Sequence, residues 1–430
     1  MNPDDLASAR WFRSKQRVIA SVAEVDRAEL HRTGAALVVL EVQFADGGAR
    51  ERYLVPTMDG REPADGDGVW QAIVHAMAAG AELTGSSGTF LASSTEALDR
   101  LVPLAHAAAE ALTERRLRVE QSNTSVVLGE RFILKLYRLL EPGTSPDLEI
   151  SMFLTRAGFA SVPAVAGSLA YHAGDGRIGA AAMLQEFVPS ADDAWVAMLR
   201  ALGTSPGDAV NLAGRVGAVT AELHHALASR PDDPAFPARA ATGTESAAWR
   251  ASAERQLSQA VSAVSGDEHD RLVALAPRVR ARFADTFGAA GGDARVSRVH
   301  GDYHLGQLLV QPDGGLMVID FEGEPARPIE ERRAPGSPLR DVAGLLRSLD
   351  YAARTAEAGS HAPGFEADAW LDEARAAFLA GYGGIGGQER LLLEAFELEK
   401  ACYEVRYEAN NRPAWRWLPL AAVERLLVSR

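Results

Sequence analysis

The sequence predicts an α+β protein of two or three domains, with strands in the first half and helices in the second. Its 430 residues exceed what a single compact core accommodates. Up to residue 188, short apolar stretches alternate in polarity between turns, which is typical of antiparallel strands. From residue 190 onward, apolar residues recur at three- and four-residue spacing, which is typical of amphipathic helices.

The composition is that of an ordinary globular protein and excludes several functions. Apolar residues make up 47% and charged residues 24% of the chain. The formal net charge of −14 argues against a nucleic-acid partner, which requires a basic face. The sequence shows no signal peptide and no apolar stretch of membrane length, so we expect a cytoplasmic protein without a membrane partner. Cys402 is the single cysteine, which excludes an internal disulfide and a cysteine zinc cluster.

Local patterns place the main elements along the chain. Residues 35–44 and 50–56 alternate in polarity around an Asp-Gly-Gly turn, which predicts a β-hairpin. Further strands are expected around residues 117–121, 126–129, 131–137 and 181–189. Helices are expected at 68–82, 95–113, 192–202, 209–228, 339–358, 366–381, 388–408 and 419–428, with two more between 246 and 288.

Residues 298–324 carry the most chemical information. Two short apolar strands flank a turn at 313–315, which is a hairpin signal. Asp302 precedes the first strand and Asp320 ends the second. Because an antiparallel hairpin brings its ends together, Asp302, Gln307 and Asp320 can converge. An oxygen-rich cluster with few positive charges is what Mg²⁺ requires.

The motif His300-Gly301-Asp302-Tyr303-His304, followed by Gln307 and Asp320-Phe321-Glu322, resembles the catalytic core of the aminoglycoside-phosphotransferase-like kinases. With its flanks, Gly323-Glu324-Pro325 and residues 332–335, it resembles the maltokinases and the actinobacterial glucosamine kinases. The resemblance implies a protein-kinase-like two-lobed fold with an N-terminal cap subdomain. The expected domains are a cap at 1–112, an N-lobe at 113–188, and a helical C-lobe at 189–430 with the catalytic hairpin and the acceptor site.

The resemblance also implies which residues bind ATP and Mg²⁺. Asp302 would be the catalytic base, and Gln307 and Asp320 would hold the metal. Lys135 would contact the α- and β-phosphates, and Glu149 would position that lysine.

Three further expectations concern the N-lobe. Asp147 is assigned only to the dipole of its helix. The loop over the phosphates is expected at Ser122-Asn123-Thr124-Ser125, where hydroxyls and backbone N–H groups can bind anions. Backbone groups from Gln185 to Phe187 would pair with the adenine edge, as in the hinge between kinase lobes.

Residues 397–417 form the second informative stretch and resemble the C-terminal signature of the maltokinases. Aromatic, carboxylate and amide groups together suit a carbohydrate, although a solvated helix with packed tyrosines has the same pattern. The paired residues at i and i+4 share helix faces, and two carboxylates one turn apart would also suit an ammonium group. The predicted substrate contacts are Asp302, His304, Tyr403, Glu404, Tyr407, Glu408, Asn411, Arg412 and Trp415.

We therefore predict an ATP- and Mg²⁺-dependent sugar kinase whose acceptor is glucosamine, giving glucosamine 6-phosphate. A maltokinase forming maltose 1-phosphate, an aminoglycoside phosphotransferase and a non-catalytic pseudokinase are the alternatives. The expected partners are the sugar and ATP, with the protein itself a monomer or a homodimer.

Overall fold

A computed structural model describes residues 3–30, 34–101, 112–117, 123–190, 192–289, 294–324, 327–359 and 365–428. The chain forms two compact units, Met1–Pro189 and Ser190–Arg430. The division falls one residue after the end of the predicted N-lobe. No helix within the described ranges is both long and apolar enough to cross a bilayer.

The described part of the first unit contains two antiparallel sheets. One has the order β1-β2-β3 and the other β4-β5-β9-β10-β8-β7-β6. Its strands are β1 (Ile19–Leu30), β2 (Ala35–Phe44), β3 (Glu51–Met58), β4 (Glu82–Thr84), β5 (Gly88–Ser94), β6 (Glu114–Arg116), β7 (Asn123–Leu128), β8 (Phe132–Tyr137), β9 (Val165–Ala173) and β10 (Ile178–Glu186). Its helices are α1 (Pro3–Ser8), α2 (Val69–Ala79), α3 (Glu96–Leu101) and α4 (Pro146–Ala157).

The predicted hairpin is confirmed as β2 and β3, in the register Ala35 to Met58 and Val42 to Glu51. The larger sheet does not stop at residue 112, because β4 and β5 from the expected cap pair with β9 of the expected N-lobe. One buried apolar cluster likewise joins Trp70 and Phe90 to residues of β7 to β10. The two parts therefore share a sheet and a core. The boundary between cap and N-lobe at residue 112 stays a prediction.

A buried carboxylate ties β1 to the larger sheet. Asp26 is 1% exposed and accepts hydrogen bonds from the Tyr171 hydroxyl at 2.8 Å and from the backbone N–H of Ser87 at 2.9 Å. Burial alone would raise the pKa of the Asp26 carboxyl, but these hydrogen bonds outweigh burial and lower it.

The second unit is mostly helical. Its helices are α5 (Ala194–Thr204), α6 (Pro206–Leu227), α7 (Gly243–Ala263), α8 (Asp267–Ala289), α9 (Ile329–Arg333), α10 (Leu339–Ala358), α11 (Ala367–Gly381), α12 (Gly387–Asn411) and α13 (Trp417–Val428), with 3₁₀ turns at Leu305–Gln307 and Pro413–Trp415. Its strands are β11 (Asp192–Asp193), β12 (Arg239–Ala240), β13 (Arg295–Val296), β14 (Leu308–Val310) and β15 (Leu316–Val318). The helices predicted after residue 339 are present, with ends shifted by a few residues.

Helices α6 and α11 approach so closely that glycine is required at the crossing. A Cβ atom on Gly217 would collide with the backbone carbonyl oxygen of Phe378, and one on Gly381 would collide with the carbonyl oxygen of Gly214. Backbone atoms cannot yield as a flexible side chain can, so this contact fixes the distance between the two helices.

Replacing Gly217 by alanine should destabilise the protein by about 1–3 kcal/mol, because the added methyl group overpacks the crossing. Gly207→Ala is the matched control in the same helix, since a Cβ there meets no atom within 4 Å. That control should be neutral or should stabilise by up to about 1 kcal/mol through helix propensity. Urea unfolding of both variants measures the difference, and equal free energies of unfolding would contradict the packing argument.

Candidate active site

The hairpin predicted around residue 310 is confirmed and brings two of the predicted metal ligands together. Strands β14 and β15 pair from Leu308 with Val318 to Val310 with Leu316. The backbone oxygen of Gln307 accepts the N–H of Ile319 at 3.0 Å. The Gln307 side-chain Nε2 donates to Asp320 Oδ2 at 3.3 Å. The two polar side chains thus meet at the open end of the hairpin.

Asp320 has an unusual backbone conformation. Its φ angle is +67°, in the left-handed region that residues other than glycine rarely adopt. The turn after β15 allows this conformation, which aims the Asp320 carboxylate back at Gln307. Strained residues of this kind cluster at functional sites, where the surrounding structure holds them in place.

The turn that carries Asp302 is held by a buried carboxylate from α10. Asp341 Oδ2 accepts the backbone N–H of His300 at 2.8 Å, and its Oδ1 accepts that of Gly301 at 3.0 Å. His224 Nε2 donates to the same Oδ2 at 3.1 Å, while His224 Nδ1 accepts from the Tyr382 hydroxyl at 2.9 Å. Burial would raise the pKa of the Asp341 carboxyl, but the bonds from His224 and Gly301 outweigh burial and hold it below its usual range.

The two halves of the motif are packed on each other through His300. Its ring lies 4.9 Å from the ring of Tyr303 and 4.9 Å from that of Phe321, between ring centroids. His300 Nε2 lies 3.0 Å from the backbone oxygen of Ile319. This histidine is therefore structural. His304 accepts the backbone N–H of Gly306 at 3.1 Å, and burial lowers the pKa of its imidazole.

Lys400 on α12 is a cation beside Asp302 to which the sequence analysis assigned no role. Its Nζ lies 3.6 Å from Asp302 Oδ1 and 3.4 Å from Glu324 Oε1, and 4.7 Å from the centre of the Tyr403 ring. Burial would lower the pKa of the Lys400 ammonium, but Glu324 and Asp302 outweigh burial and raise it above its usual value. The signal that could have found it is composition, since the chain has three lysines among 44 basic residues.

In the first unit, the predicted phosphate lysine makes an ion pair that the sequence did not predict. Lys135 Nζ lies 2.9 Å from Asp147 Oδ2, which also accepts the Tyr137 hydroxyl at 2.9 Å. Asp147 is 1% exposed, so the assignment of this residue only to the helix dipole is wrong. The first turn of α4 points Asp147 inward to β8, and the expected pairing of Lys135 with Glu149 stays a prediction.

The predicted phosphate loop and hinge also need correction. Asn123, Thr124 and Ser125 lie in β7, paired with β8, and do not form a turn; Ser122 lies outside the described residues. Thr124 accepts a hydrogen bond from the buried Arg138 at 2.8 Å.

At the end of β10, the predicted adenine contacts from Gln185 to Phe187 are partly occupied. The N–H of Glu186 donates to Ala164 and that of Phe187 donates to Arg131, at 2.9 and 2.8 Å. These two donors are used within the first unit and are not available to adenine.

A cavity of about 430 Å³ lies beside the turn that carries Asp302, within the second unit. Its lining includes Gly301 and Tyr303, the neighbours of Asp302. Helix α12 contributes four residues that share one face of the helix: Phe396, Glu399, Lys400 and Tyr403. Helix α7 contributes Trp249, Ser252 and Gln256, and the segment after β15 contributes Glu324, Arg327 and Glu331. Aromatic faces with a few polar groups are typical of a small-molecule site.

The carboxylates predicted to bind the sugar lie on another face of α12 and are occupied. Glu404 is 8% exposed, and its Oε2 accepts from Arg347 at 2.7 and 2.9 Å. Burial raises the pKa of the Glu404 carboxyl despite this guanidinium. Glu408 is 1% exposed and accepts from Arg412 at 2.6 Å and from the Tyr351 hydroxyl at 3.0 Å. We therefore correct the prediction that Glu404 and Glu408 present free carboxylates to a substrate.

The remaining predicted acceptor residues divide into two groups. Tyr403 lines the cavity. Tyr407 is 43% exposed, and its backbone oxygen accepts the side chain of Asn411. Arg412 is used by Glu408, and the ring of Trp415 stacks on that of Tyr351 with centroids 6.5 Å apart. Among the described residues, those that line the cavity do not include Tyr407, Asn411, Arg412 or Trp415.

Comparison with known proteins identifies the family. The model of the phosphotransferase enzyme family matches residues 113–392, and that of the maltokinase N-terminal cap domain matches residues 6–86. A glucosamine kinase of Streptacidiphilus jiangxiensis is 31% identical over 343 residues, 75% of this chain and 75% of that relative. A glucosamine kinase of Mycolicibacterium smegmatis is 29% identical over 382 residues, 85% of this chain and 90% of that relative.

A solved structure extends the likeness to nearly the whole chain. It is a glucosamine kinase in complex with glucosamine, ADP and inorganic phosphate, 27% identical, with a TM-score of 0.73. The match covers 99% of this chain and 97% of that one. A second crystal form of a glucosamine kinase matches with a TM-score of 0.76 at 27% identity, over 99% of both chains.

The fold and the catalytic hairpin define a kinase of the protein-kinase-like class with an N-terminal cap. The chain belongs to the phosphotransferase enzyme family, whose model matches more than half of it. The predicted relationship to the maltokinases and glucosamine kinases is confirmed, as are the predicted fold and the prediction of an ATP-dependent sugar kinase.

Replacing Asp341 by asparagine should lower kcat by about 10²-fold, because misplacing a catalytic turn by an ångström has an effect of this size. The affinity for the nucleotide should change little, since Asp341 contacts only the catalytic turn and His224 among the bonds described here. Steady-state kinetics measure the first effect and calorimetry the second. Tyr382→Phe is the control, since it removes only the hydroxyl that orients His224. A near-native kcat for the Asn variant would refute the anchoring role.

The same carboxylate predicts a pH dependence of stability. Because the folded pKa of Asp341 lies below the unfolded value of about 3.9, its contribution is present above that pH and is lost as pH falls through the folded pKa. The free energy of unfolding of the native protein should therefore drop more steeply below about pH 4 than that of Asp341→Asn.

Proposed function

We propose that the protein is an ATP-dependent glucosamine kinase that forms glucosamine 6-phosphate in the cavity beside Asp302. The observation that carries the proposal is the Asp302 turn itself, which is rigidly held by Asp341 and opens beside a cavity of about 430 Å³ with aromatic and carboxylate lining. Both named relatives are glucosamine kinases, which favours this sugar over maltose. The ADP and glucosamine of the solved relative support a nucleotide and a sugar as ligands.

Asp302 is the general base in this proposal. It accepts the proton of the sugar hydroxyl as that oxygen forms its bond to the γ-phosphorus of ATP. The bond from the γ-phosphorus to the β–γ bridging oxygen breaks, and ADP leaves with the electron pair. The sugar is positioned by the cavity wall, and most of the rate enhancement comes from this positioning and from neutralising charge.

The donor set at the hairpin end fits Mg²⁺. Gln307 and Asp320 offer an amide oxygen and a carboxylate, which are the hard oxygen ligands this cation prefers. When bound, Mg²⁺ neutralises phosphate charge. The left-handed backbone of Asp320 keeps its carboxylate directed to this point.

On the nucleotide side, Lys135 is the proposed phosphate contact and Asp147 the residue that orients it. The N–H groups of Glu186 and Phe187 already donate to other backbone oxygens. The Glu186 carbonyl and the Val188 N–H are therefore the candidate groups for hydrogen bonds to the adenine edge.

The acceptor amine is assigned to Glu399 in place of Glu404 and Glu408. Glu399 is 4% exposed and lines the cavity on the same face of α12 as Lys400 and Tyr403. Its Oε1 accepts the Ser252 hydroxyl at 2.8 Å, and its Oε2 lies 2.9 Å from the Arg340 guanidinium. Nearby, the buried side-chain oxygen of Gln256 makes no hydrogen bond to any described residue. The Glu399 carboxylate and the Gln256 side-chain oxygen are both acceptors, which suits a ligand with many donors such as an amino sugar.

The native protein should consume ATP with glucosamine in preference to glucose, maltose and aminoglycosides. A panel assay of ATP consumption checks this and separates the alternatives: maltose as best acceptor would indicate a maltokinase, and no acceptor a pseudokinase. Asp302→Asn should lose about 10²–10⁴-fold in turnover while it keeps its fold and nucleotide affinity. Near-native turnover in that variant would remove Asp302 from the mechanism.

Glu399→Gln should narrow the preference for glucosamine over glucose by about 10- to 100-fold, which corresponds to a charge-assisted hydrogen bond of about 1.5–3 kcal/mol. Glu404→Gln is the matched control, because Glu404 is also buried, also paired with an arginine and on the same helix. The control should change stability and leave the ratio of the two kcat/KM values unaltered. An unchanged ratio in Glu399→Gln would mean that another carboxylate binds the amine.

A further inference from the structure

Lysine is rare in this chain, so each lysine position is informative. Of 44 basic residues, only Lys15, Lys135 and Lys400 are lysines. Among the residues that the structure describes, arginine makes nearly all of the ion pairs, including the buried ones of Arg347 and Arg375 with glutamates of α12. A guanidinium is planar and bulky, whereas an ammonium is a compact charge with three rotatable donors. A lysine at position 400 therefore supplies a compact, mobile positive charge that an arginine would not supply.

The surroundings of Lys400 are those of a charge held ready for another ligand. Its distances of 3.6 Å to Asp302 and 3.4 Å to Glu324 exceed the roughly 2.7–2.9 Å of a tight charge-assisted bond. By contrast, the ammonium of Lys135 lies 2.9 Å from its carboxylate partner. The Lys400 side chain remains 25% exposed and lines the cavity. The ammonium is thus close to both carboxylates but tightly bonded to neither.

We propose that Lys400 is a catalytic residue that binds the phosphoryl group as it passes to the sugar and then holds the sugar phosphate. This role rests on the proposed function, in which the acceptor hydroxyl is bonded to Asp302. A hydroxyl within hydrogen-bond reach of Asp302 is also near the Lys400 ammonium, because only 3.6 Å separates the two side chains. The incoming phosphoryl group then lies next to a cation.

Charge balance explains why such a cation is needed. Without Lys400, the incoming phosphoryl group would approach the carboxylates of Asp302 and Glu324 before the proton is transferred, and like charges at this range repel. During transfer the sugar oxygen bonds to phosphorus, its proton goes to Asp302, and ADP leaves with the electron pair of the broken bond. Lys400 keeps its proton throughout and turns from the carboxylates to the phosphoryl oxygens.

The alternative is that Lys400 only pins the segment after β15 to α12 through Glu324. Sugar and sugar phosphate distinguish the two roles. A pinning residue shapes the cavity for both ligands alike, whereas a phosphate-binding residue affects the phosphorylated ligand selectively.

The test compares Lys400→Met with native protein and with Lys15→Met, a matched loss of charge at an exposed lysine. We expect kcat for glucosamine to fall by about 10²–10³-fold, the usual effect of removing one stabilising donor. The affinity for glucosamine 6-phosphate, measured as product inhibition, should weaken at least tenfold, while that for glucosamine stays within about threefold. Lys15→Met should match native protein in all three.

Lys400→Arg extends the test because it keeps the charge. It should recover part of the affinity for the sugar phosphate, because the charge is kept while the compact shape is lost. If Lys400→Met does not fold, Lys400→Gln takes its place and the same three quantities decide. A kcat within tenfold of native, or equal weakening of both ligands, would overturn the role of Lys400. Failure of the native protein itself to phosphorylate glucosamine would instead overturn the proposed function, so the two failures are distinguishable.

Discussion

The candidate active site depends on one buried carboxylate, Asp341, which accepts two successive backbone N–H groups of the turn that carries Asp302. A turn is normally a mobile surface feature whose polar groups are satisfied by water. Here the turn is fixed to the N-terminus of α10, where the helix dipole also favours a negative charge. His224 and Tyr382 complete the chain of bonds, so helices α6, α10 and the end of α11 all determine where Asp302 stands.

From this anchor the rest of the site follows. His300 joins the turn to the segment after β15 through two ring contacts, and Gln307 joins the same hairpin to Asp320. The close crossing of α6 and α11 at Gly217 supports the helix that carries His224. The position of Asp302, the proposed base, is thereby determined by hydrogen bonds to the backbone of its turn and by packing.

The sequence was informative where the determinants are local. The catalytic hairpin has all its signals within 27 residues, and its strands and convergent side chains could be read from spacing. The partners of the α12 carboxylates could not, because helical spacing tells which residues share a face but not which face is buried. Arg347 lies 57 positions before Glu404, and Asp341 lies 41 after His300. Strand β1 was also missed, since its first half alternates poorly and bulges interrupt its pairing. Lys400 belongs to no local motif.

The shared sheet of the first unit has a consequence for how such kinases are divided and recombined. Seven residues of β9, from Gly167 to Ala173, are paired with β5. Strand β5 lies between the residues matched by the cap model, 6–86, and those matched by the phosphotransferase model, 113–392. A chain shortened to begin at residue 113 would expose that row of N–H and C=O groups as an open edge, which invites aggregation. Strand β5 therefore protects the edge of the kinase sheet, and the cap can be exchanged among relatives only together with a strand that covers β9.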